Sequence, residues 1–154
     1  MVIWRLCQQR YADRPLDGEG ARLYGGRWNF PGASVVYTAG TLALAALEVL
    51  VHVDLDIAPT DLVAIPVEVP TRVRVEKVEI DGLPPHWRTT PAPEQLQQLG
   101  TAWVRRKTSL LLRVPSAVIP EEYNYLVNPA HSSVARLRVG EPRPFTFDPR
   151  LFSS

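Results

Sequence analysis

The sequence predicts an α+β fold in which short strands outnumber helices. The chain has 154 residues, of which 15 are proline, about twice the usual share of ~5%. Because proline breaks helix interiors, helices must be few and turns frequent. Hydrophobic residues make up 45% of the chain and charged residues 21%, which excludes global disorder. Without an internal repeat or a low-complexity linker, one compact, β-rich domain over residues 1–154 is the simplest organisation.

Two segments predict helices. Residues 41–53 begin at Thr41, whose hydroxyl can cap a helix, and they are apolar almost all the way round. A helix of that kind is normally buried. Residues 93–107 begin with a proline and end in three basic residues that complement the helix macrodipole.

The remaining periodic segments are short and either β-branched or alternating, as strands are. Two of them, residues 61–69 and 72–80, are separated by two residues only, so we expect them to form a hairpin. Strands are expected over residues 2–6, 34–38, 61–69, 72–80, 110–114, 123–127 and 145–147.

Charge and composition exclude several classes of protein. A net charge of +1, from 17 basic and 16 acidic residues, argues against direct binding of nucleic acid or of an anionic membrane. The single cysteine, Cys7, excludes an internal disulfide framework, and the scattered histidines give no metal-ligand spacing. The N-terminus lacks the pattern of a signal peptide and no apolar run is long enough to span a bilayer, so we expect a cytoplasmic protein.

The first helix carries a polar stripe. Glu48 and His52 are four residues apart and Thr41 precedes Glu48 by seven, so all three share one helix face. This stripe either faces solvent or lines a polar cleft. In a cleft, Glu48 would be a carboxylate walled by aliphatic side chains, which suits it to stabilise a developing positive charge.

Two loop segments hold further candidates. Arg27 follows two glycines within residues 20–32, which predicts either an ordinary turn or a clamp for a phosphate group. Tyr37 ends the next strand and could stack on a flat ring or belong to the core. Ser116 lacks a sequence-adjacent base and is better suited to donate a hydrogen bond than to act as a nucleophile. Asn128 lies in a turn-like Asn-Pro pair.

Taken together, these segments resemble a known family. Their order along the chain is WRL at residues 4–6, GGRWNFPG at 25–32, VVYTA at 35–39, LALAALEVLVH at 42–52 and VPSAVIPEEYNYLVNP at 114–129. This order and spacing resemble the RES-domain toxins of bacterial toxin–antitoxin pairs. The resemblance covers nearly the whole chain, and it implies a fold similar to that of the ADP-ribosyltransferase toxins.

The resemblance also implies roles for individual residues. Glu48 would stabilise the oxocarbenium-like state that forms when the nicotinamide–ribose bond of NAD breaks. Arg27 and Arg5 would bind the pyrophosphate, and Tyr37 would stack on nicotinamide. Arg27, Tyr37 and Glu48 are therefore the expected catalytic residues. Further substrate contacts are expected from Ser116, His52 and Asn128.

The implied function is a toxin that degrades NAD and arrests bacterial growth, by glycohydrolysis or by phosphorolysis. NAD would be the substrate, inorganic phosphate a possible co-substrate, and no cofactor or metal would be needed. The expected partner is an antitoxin with an Xre-like helix-turn-helix domain that blocks the active site. Two alternatives stay open: an ADP-ribosyltransferase that modifies a protein, and a non-catalytic module that binds an antitoxin.

Overall fold

The computed structural model describes residues 1–54 and 59–152. Within them the chain forms eight strands and three α-helices. The strands are β1 (Val2–Gln8), β2 (Val36–Ala39), β3 (Leu62–Glu68), β4 (Val75–Lys77), β5 (Leu111–Pro115), β6 (Tyr123–Val127), β7 (Arg138–Val139) and β8 (Arg143–Phe145). The helices are α1 (Glu19–Tyr24), α2 (Leu42–Leu50) and α3 (Glu94–Arg106).

All eight strands belong to one sheet. Their order is β4-β5-β6-β2-β1-β3-β7, and β8 also pairs with β3. Only β4 and β5 pair in parallel; the other pairs are antiparallel. The expectation of a strand-rich α+β fold is therefore confirmed.

The expected hairpin between residues 61–69 and 72–80 is wrong. β3 pairs instead with β1, from Val2↔Glu68 to Gln8↔Leu62, and its other edge is taken by β7 and β8. β4 crosses to the far end of the sheet and pairs with β5. The reason lies in burial: most of β3 is buried and apolar, so it needs partners on both edges, whereas the three-residue β4 suits a sheet edge.

The first predicted helix is shorter and less buried than its composition indicated. Thr41 caps α2 as expected, since its hydroxyl accepts a hydrogen bond from the Leu44 amide at 3.1 Å. The helix ends at Leu50 rather than at residue 53, and only Leu44 and Ala45 in it are buried. One side of α2 packs on β1 and β2, and the opposite side stays accessible because nothing in the described residues covers it. The α3 helix matches its prediction within a residue at each end.

Two sets of side chains cover the two faces of the sheet. On β1, Ile3 and Cys7 belong to a core that also includes Ile65 and Val127. Trp4 and Leu6 pack beneath α2 on the opposite face. Strand residues alternate between faces, so the parity of a residue on β1 decides which core it joins. None of the helices in the described ranges is long and apolar enough to cross a membrane.

The α3 helix fixes the loop that follows α1. At Gly100 an added Cβ would lie 1.8 Å from the carbonyl oxygen of Trp28, so only glycine allows this approach. The next residue, Thr101, accepts a hydrogen bond from the Phe30 amide at 3.0 Å. Gln97 donates from its amide to the carbonyl oxygen of Gly26 at 3.2 Å. One face of α3 therefore holds residues 26–30 in place.

Gly100→Ala should destabilise the protein because the new methyl group forces the helix and the Trp28 main chain apart. Overpacking of this kind costs about 1–3 kcal/mol. Gly20→Ala is the matched control, since Gly20 is also helical but an added Cβ meets nothing within 4 Å. That change should be neutral or stabilising by about 0.5–1 kcal/mol. Urea unfolding of both variants measures the difference, and equal midpoints would contradict this packing.

Candidate active site

The Glu48 carboxylate joins three parts of the chain. It lies in the last turn of α2, and its Oε1 accepts two hydrogen bonds, from Ser116 Oγ and from Asn124 Nδ2, each at 2.7 Å. Ser116 follows β5 directly and Asn124 lies in β6. No hydrogen bond within the described residues goes to Oε2 of Glu48. One carboxylate oxygen is thus held by the protein while the other is left available.

Ser116 is the centre of a small hydrogen-bond network. The residue is fully buried, and its Oγ accepts from the amides of Val118 and Ile119, each at 3.0 Å. Its single hydroxyl hydrogen is committed to Glu48. A serine arranged in this way orients a carboxylate and shapes its own loop.

Arg27 is a half-buried cation whose bonds all go to neutral oxygens. Its guanidinium donates to the carbonyls of Trp87 and Thr89, at 2.9 and 3.0 Å, and to the hydroxyl of Thr90 at 3.3 Å. Burial lowers the pKa of Arg27, while the charge of Glu48 acts in the opposite direction. Within the described chain no carboxylate lies at ion-pair distance from Arg27, so its charge is available to an anionic ligand.

Tyr37 organises the loop that carries Arg27. Its hydroxyl donates to Asn29 Oδ1 at 2.6 Å and accepts from the Trp28 amide at 3.1 Å. The loop can approach this closely because residue 26 is a glycine, where an added Cβ would lie 2.6 Å from the tyrosine oxygen. Burial raises the pKa of Tyr37 well above its ordinary value, so the phenol is neutral. Its expected stacking on nicotinamide stays a prediction.

Asn29 is a site residue that the sequence analysis did not single out. It is fully buried, and its Nδ2 donates to the carbonyls of Ala21, Phe30 and Ala33 at 2.9 to 3.2 Å. The signal that could have revealed it is an asparagine inside a loop rich in glycine and proline, because such a loop needs a side chain to satisfy its main chain.

Two expected substrate contacts are not part of this group. Asn128 is fully buried; its Nδ2 donates to the Val104 carbonyl at 2.9 Å and its Oδ1 accepts from the Ala130 amide at 3.0 Å. Both ends of this side-chain amide are bound to the main chain, and the substrate contact expected of Asn128 stays a prediction. His52 is exposed and lies beyond the end of α2. It does not continue the Glu48 face because its amide bonds to Val49, three residues back.

The structure also separates Arg5 from the other candidates. Arg5 lies on the same face of β1 as Ile3 and Cys7, because residues two apart in a strand share a face. Its register partner on β3 is Ile65, a member of the same core. It acts electrostatically on Cys7, whose pKa burial raises and Arg5 lowers. Tyr37 packs with the core on the other face. This arrangement therefore does not support the expectation that Arg5 and Arg27 form one clamp, because the Arg5 side chain lies on the opposite side of the sheet.

The assembled site thus contains a carboxylate with one free oxygen, an uncompensated guanidinium and neutral hydrogen-bond donors. In residues 1–54 and 59–152 no three side chains of His, Cys, Asp or Glu come together as a metal site would require. A carboxylate and a cation that interact electrostatically suit a substrate that is anionic at one point and develops positive charge at another.

Comparison with known proteins agrees with the order of the motifs. The pattern that defines the RES domain matches residues 2–148. The chain belongs to the RES-domain family. Two similar family members are Toxin Res of Yersinia enterocolitica, 36% identical over 152 residues covering 98% of this chain and 99% of that protein, and the Prs ADP-ribosylating toxin of Sphingobium sp., 36% identical over 153 residues covering 97% and 95%.

A solved structure supports the fold of this RES domain. The chain matches one in the crystal structure of the M. tuberculosis MbcT-MbcA toxin-antitoxin complex with a TM-score of 0.76 and 21% identity, covering 98% of this chain and 86% of that one. The resemblance inferred from the sequence motifs is confirmed at the level of family and fold.

Tyr37→Phe should lower stability and change its dependence on pH. The change removes a buried hydroxyl and leaves Asn29 Oδ1 without a donor, at a cost of about 1–3 kcal/mol. Because the pKa of Tyr37 is raised in the folded state, the wild-type protein should lose stability as pH rises above about 10. The variant should lose less over that range.

Tyr24→Phe is the control for that measurement, because Tyr24 is 79% exposed. Denaturant unfolding at neutral pH and above pH 10 checks both effects. Identical alkaline slopes for Tyr37→Phe and wild type would contradict the buried, neutral state of the phenol.

Proposed function

We propose that this RES domain cleaves the nicotinamide–ribose bond of NAD. The observation that carries the proposal is the Glu48 carboxylate, whose Oε1 is fixed by Ser116 and Asn124 while Oε2 accepts no hydrogen bond within the described residues. A fixed carboxylate with one free oxygen can hold a ribose hydroxyl and face the positive charge that develops as the glycosidic bond breaks.

The chemistry fits the groups present. The bond breaks through an oxocarbenium-like transition state, as in other glycoside cleavages. Nicotinamide leaves as a neutral molecule from a cationic pyridinium, so the site needs no general acid. Preorganised negative charge beside the ribose supplies the main stabilisation. In this scheme Ser116 acts through Glu48 rather than on the substrate.

Arg27 is suited to the anionic part of the same substrate. A guanidinium can bind pyrophosphate oxygens in bidentate fashion, which an ammonium does not do. The absence of a carboxylate at ion-pair distance within the described chain leaves its charge unneutralised. The charge of Glu48 acts to raise the pKa of Arg27, which supports assigning both groups to one site. NAD is the substrate in this proposal, and no resident cofactor takes part.

Three acceptors could receive the ADP-ribosyl group: water, inorganic phosphate and a protein side chain. We favour water or phosphate. Incubating the purified protein with NAD, with and without phosphate, and identifying the products separates ADP-ribose from its 1-phosphate. Transfer to protein is the second candidate, which the name of the Sphingobium relative favours. NAD with a labelled adenylate half, incubated with bacterial lysate, would then label protein bands.

The biological role we propose is that of a toxin whose activity an antitoxin restrains. Relatives named Toxin Res support the first part, and the toxin–antitoxin complex containing the structural neighbour supports the second. We further propose that the antitoxin carries an Xre-like helix-turn-helix domain and covers the Glu48 site. Expression of this chain alone in a bacterial host should stop growth as NAD falls. Normal growth with soluble protein and steady NAD would favour a non-catalytic antitoxin-binding module.

Glu48→Gln should slow NAD turnover on the order of a hundredfold or more, which corresponds to a lost interaction of ~3 kcal/mol in the transition state. The amide keeps the shape and can still accept from Ser116, so the change isolates the charge. Glu121→Gln, at an exposed glutamate, is the control and should keep wild-type turnover. Nicotinamide release, followed with thermal unfolding to verify folding, measures the effect. Wild-type turnover by the folded Glu48→Gln protein would refute the mechanism.

Arg27→Lys should also impair turnover, although it conserves the charge. One ammonium group cannot serve both main-chain carbonyls and the Thr90 hydroxyl that the guanidinium reaches, and it binds a pyrophosphate as a point charge. We expect the KM for NAD to rise by about tenfold or more. Arg22→Lys is the control, since Arg22 forms an exposed ion pair with Glu19. An unchanged KM in Arg27→Lys would exclude Arg27 from binding NAD.

A further inference from the structure

Asn124 is a polar residue of this site that was not among the site residues expected from the sequence. It is the second residue of β6, where its neighbours in register are Ala39 on β2 and Val114 on β5. Both neighbours are buried and apolar. An amide in such a row is costly, because each of its polar atoms needs a partner when it is removed from water.

Only half of that need is met. Nδ2 donates to Glu48 Oε1 at 2.7 Å, but Oδ1 is buried without a hydrogen-bond partner among the residues that the structure describes. Turning the amide over would place Oδ1 against the carboxylate oxygen, where two acceptors repel each other. The orientation of Asn124 is therefore set by the charge of Glu48, and the protein leaves a carbonyl oxygen unpaired to maintain it.

Glu48 needs such support. It lies in the last turn of α2, where the negative end of the helix dipole disfavours a carboxylate. That turn contains no basic residue. The two donors on Oε1 offset this repulsion and, because they converge on the same oxygen, they fix the direction in which Oε2 points.

The two donors differ in what else they do. Ser116 Oγ also accepts two main-chain amides, so removing it disturbs the loop as well as Glu48. The one side-chain hydrogen bond of Asn124 within the described residues goes to Glu48. From this contrast we propose that Asn124 is a positioning residue for the reaction, present to orient Glu48 and not to stabilise the fold. The inference rests on the proposed role of Glu48 in NAD cleavage.

The test is Asn124→Ala, with Asn124→Leu as a second variant of similar length to the amide. In both, kcat for NAD cleavage should fall on the order of tenfold to a hundredfold, because a carboxylate that is free to turn no longer faces the reacting carbon. The KM should stay within about twofold, since Asn124 does not hold the substrate. The unfolding midpoint should change little, because the loss of one donor to Glu48 is offset by the removal of an unpaired buried carbonyl.

A double-mutant cycle distinguishes positioning from a general structural effect. If Asn124 acts through Glu48, then Asn124→Ala should add little further loss of kcat in the Glu48→Gln background, whereas independent effects would multiply. Ser116→Ala serves as the comparison and should lower both kcat and stability.

The outcomes separate this inference from the proposal on which it rests. If Glu48→Gln turns over NAD at the wild-type rate, the proposed function itself fails. If Glu48→Gln is impaired while both Asn124 variants keep wild-type kcat, only the positioning role fails. A rise in KM at constant kcat, or multiplicative effects in the cycle, would also overturn it.

Discussion

The placement of one carboxylate constrains much of this RES domain. Glu48 is charged, half-buried and attached to an otherwise apolar helix at the end where the dipole opposes it. Ser116 and Asn124 orient it there by supplying two donors to the same oxygen. For these donors to reach it, β5 and β6 must be neighbours in the sheet. β6 must also lie beside β2, the strand that precedes α2 in the chain. A small residue, Ala39, is the register neighbour of Asn124 on β2.

A second set of contacts links the other half of the site to the first. The face of α3 that carries Gln97, Gly100 and Thr101 holds residues 26–30 in place. Arg27, carried by that loop, then binds the turn at residues 87–90. From the same turn, Arg88 donates to the carbonyls of the two residues that follow Ser116, at 2.9 and 3.4 Å. The sequence shows few motifs in the segment between β4 and α3. This segment nevertheless connects Arg27 to the loop of Ser116, the residue that orients Glu48.

The sequence predicts the existence of most elements but not their partners or the side chains that complete the site. The strand at residues 123–127 and the α3 helix follow from periodicity, whereas the position of β4 depends on which sheet edge is left unoccupied. Spacing indicates a role for Glu48, but not that α2 ends before His52, since no glycine or proline marks the helix end. Alternation on β1 puts Arg5 on one face, and only the folded sheet shows that this is the face opposite Tyr37. A lone asparagine such as Asn124 gives no periodic signal, because its role depends on a partner 76 residues away.

The excess of arginine over lysine has a physical reason at one position at least. Of the 17 basic residues, two are lysines, and at Arg27 a lysine could not replace the guanidinium. Its three contacts reach two carbonyls and a hydroxyl on one turn, which requires a planar group with several donors in fixed directions. These neutral acceptors orient the group without neutralising it, so the same side chain anchors the turn and keeps its charge for a ligand. Because that turn also carries Arg88, the anchoring by Arg27 extends to the loop of Ser116 and from there to Glu48, and the cation and the carboxylate of the site are held in position together.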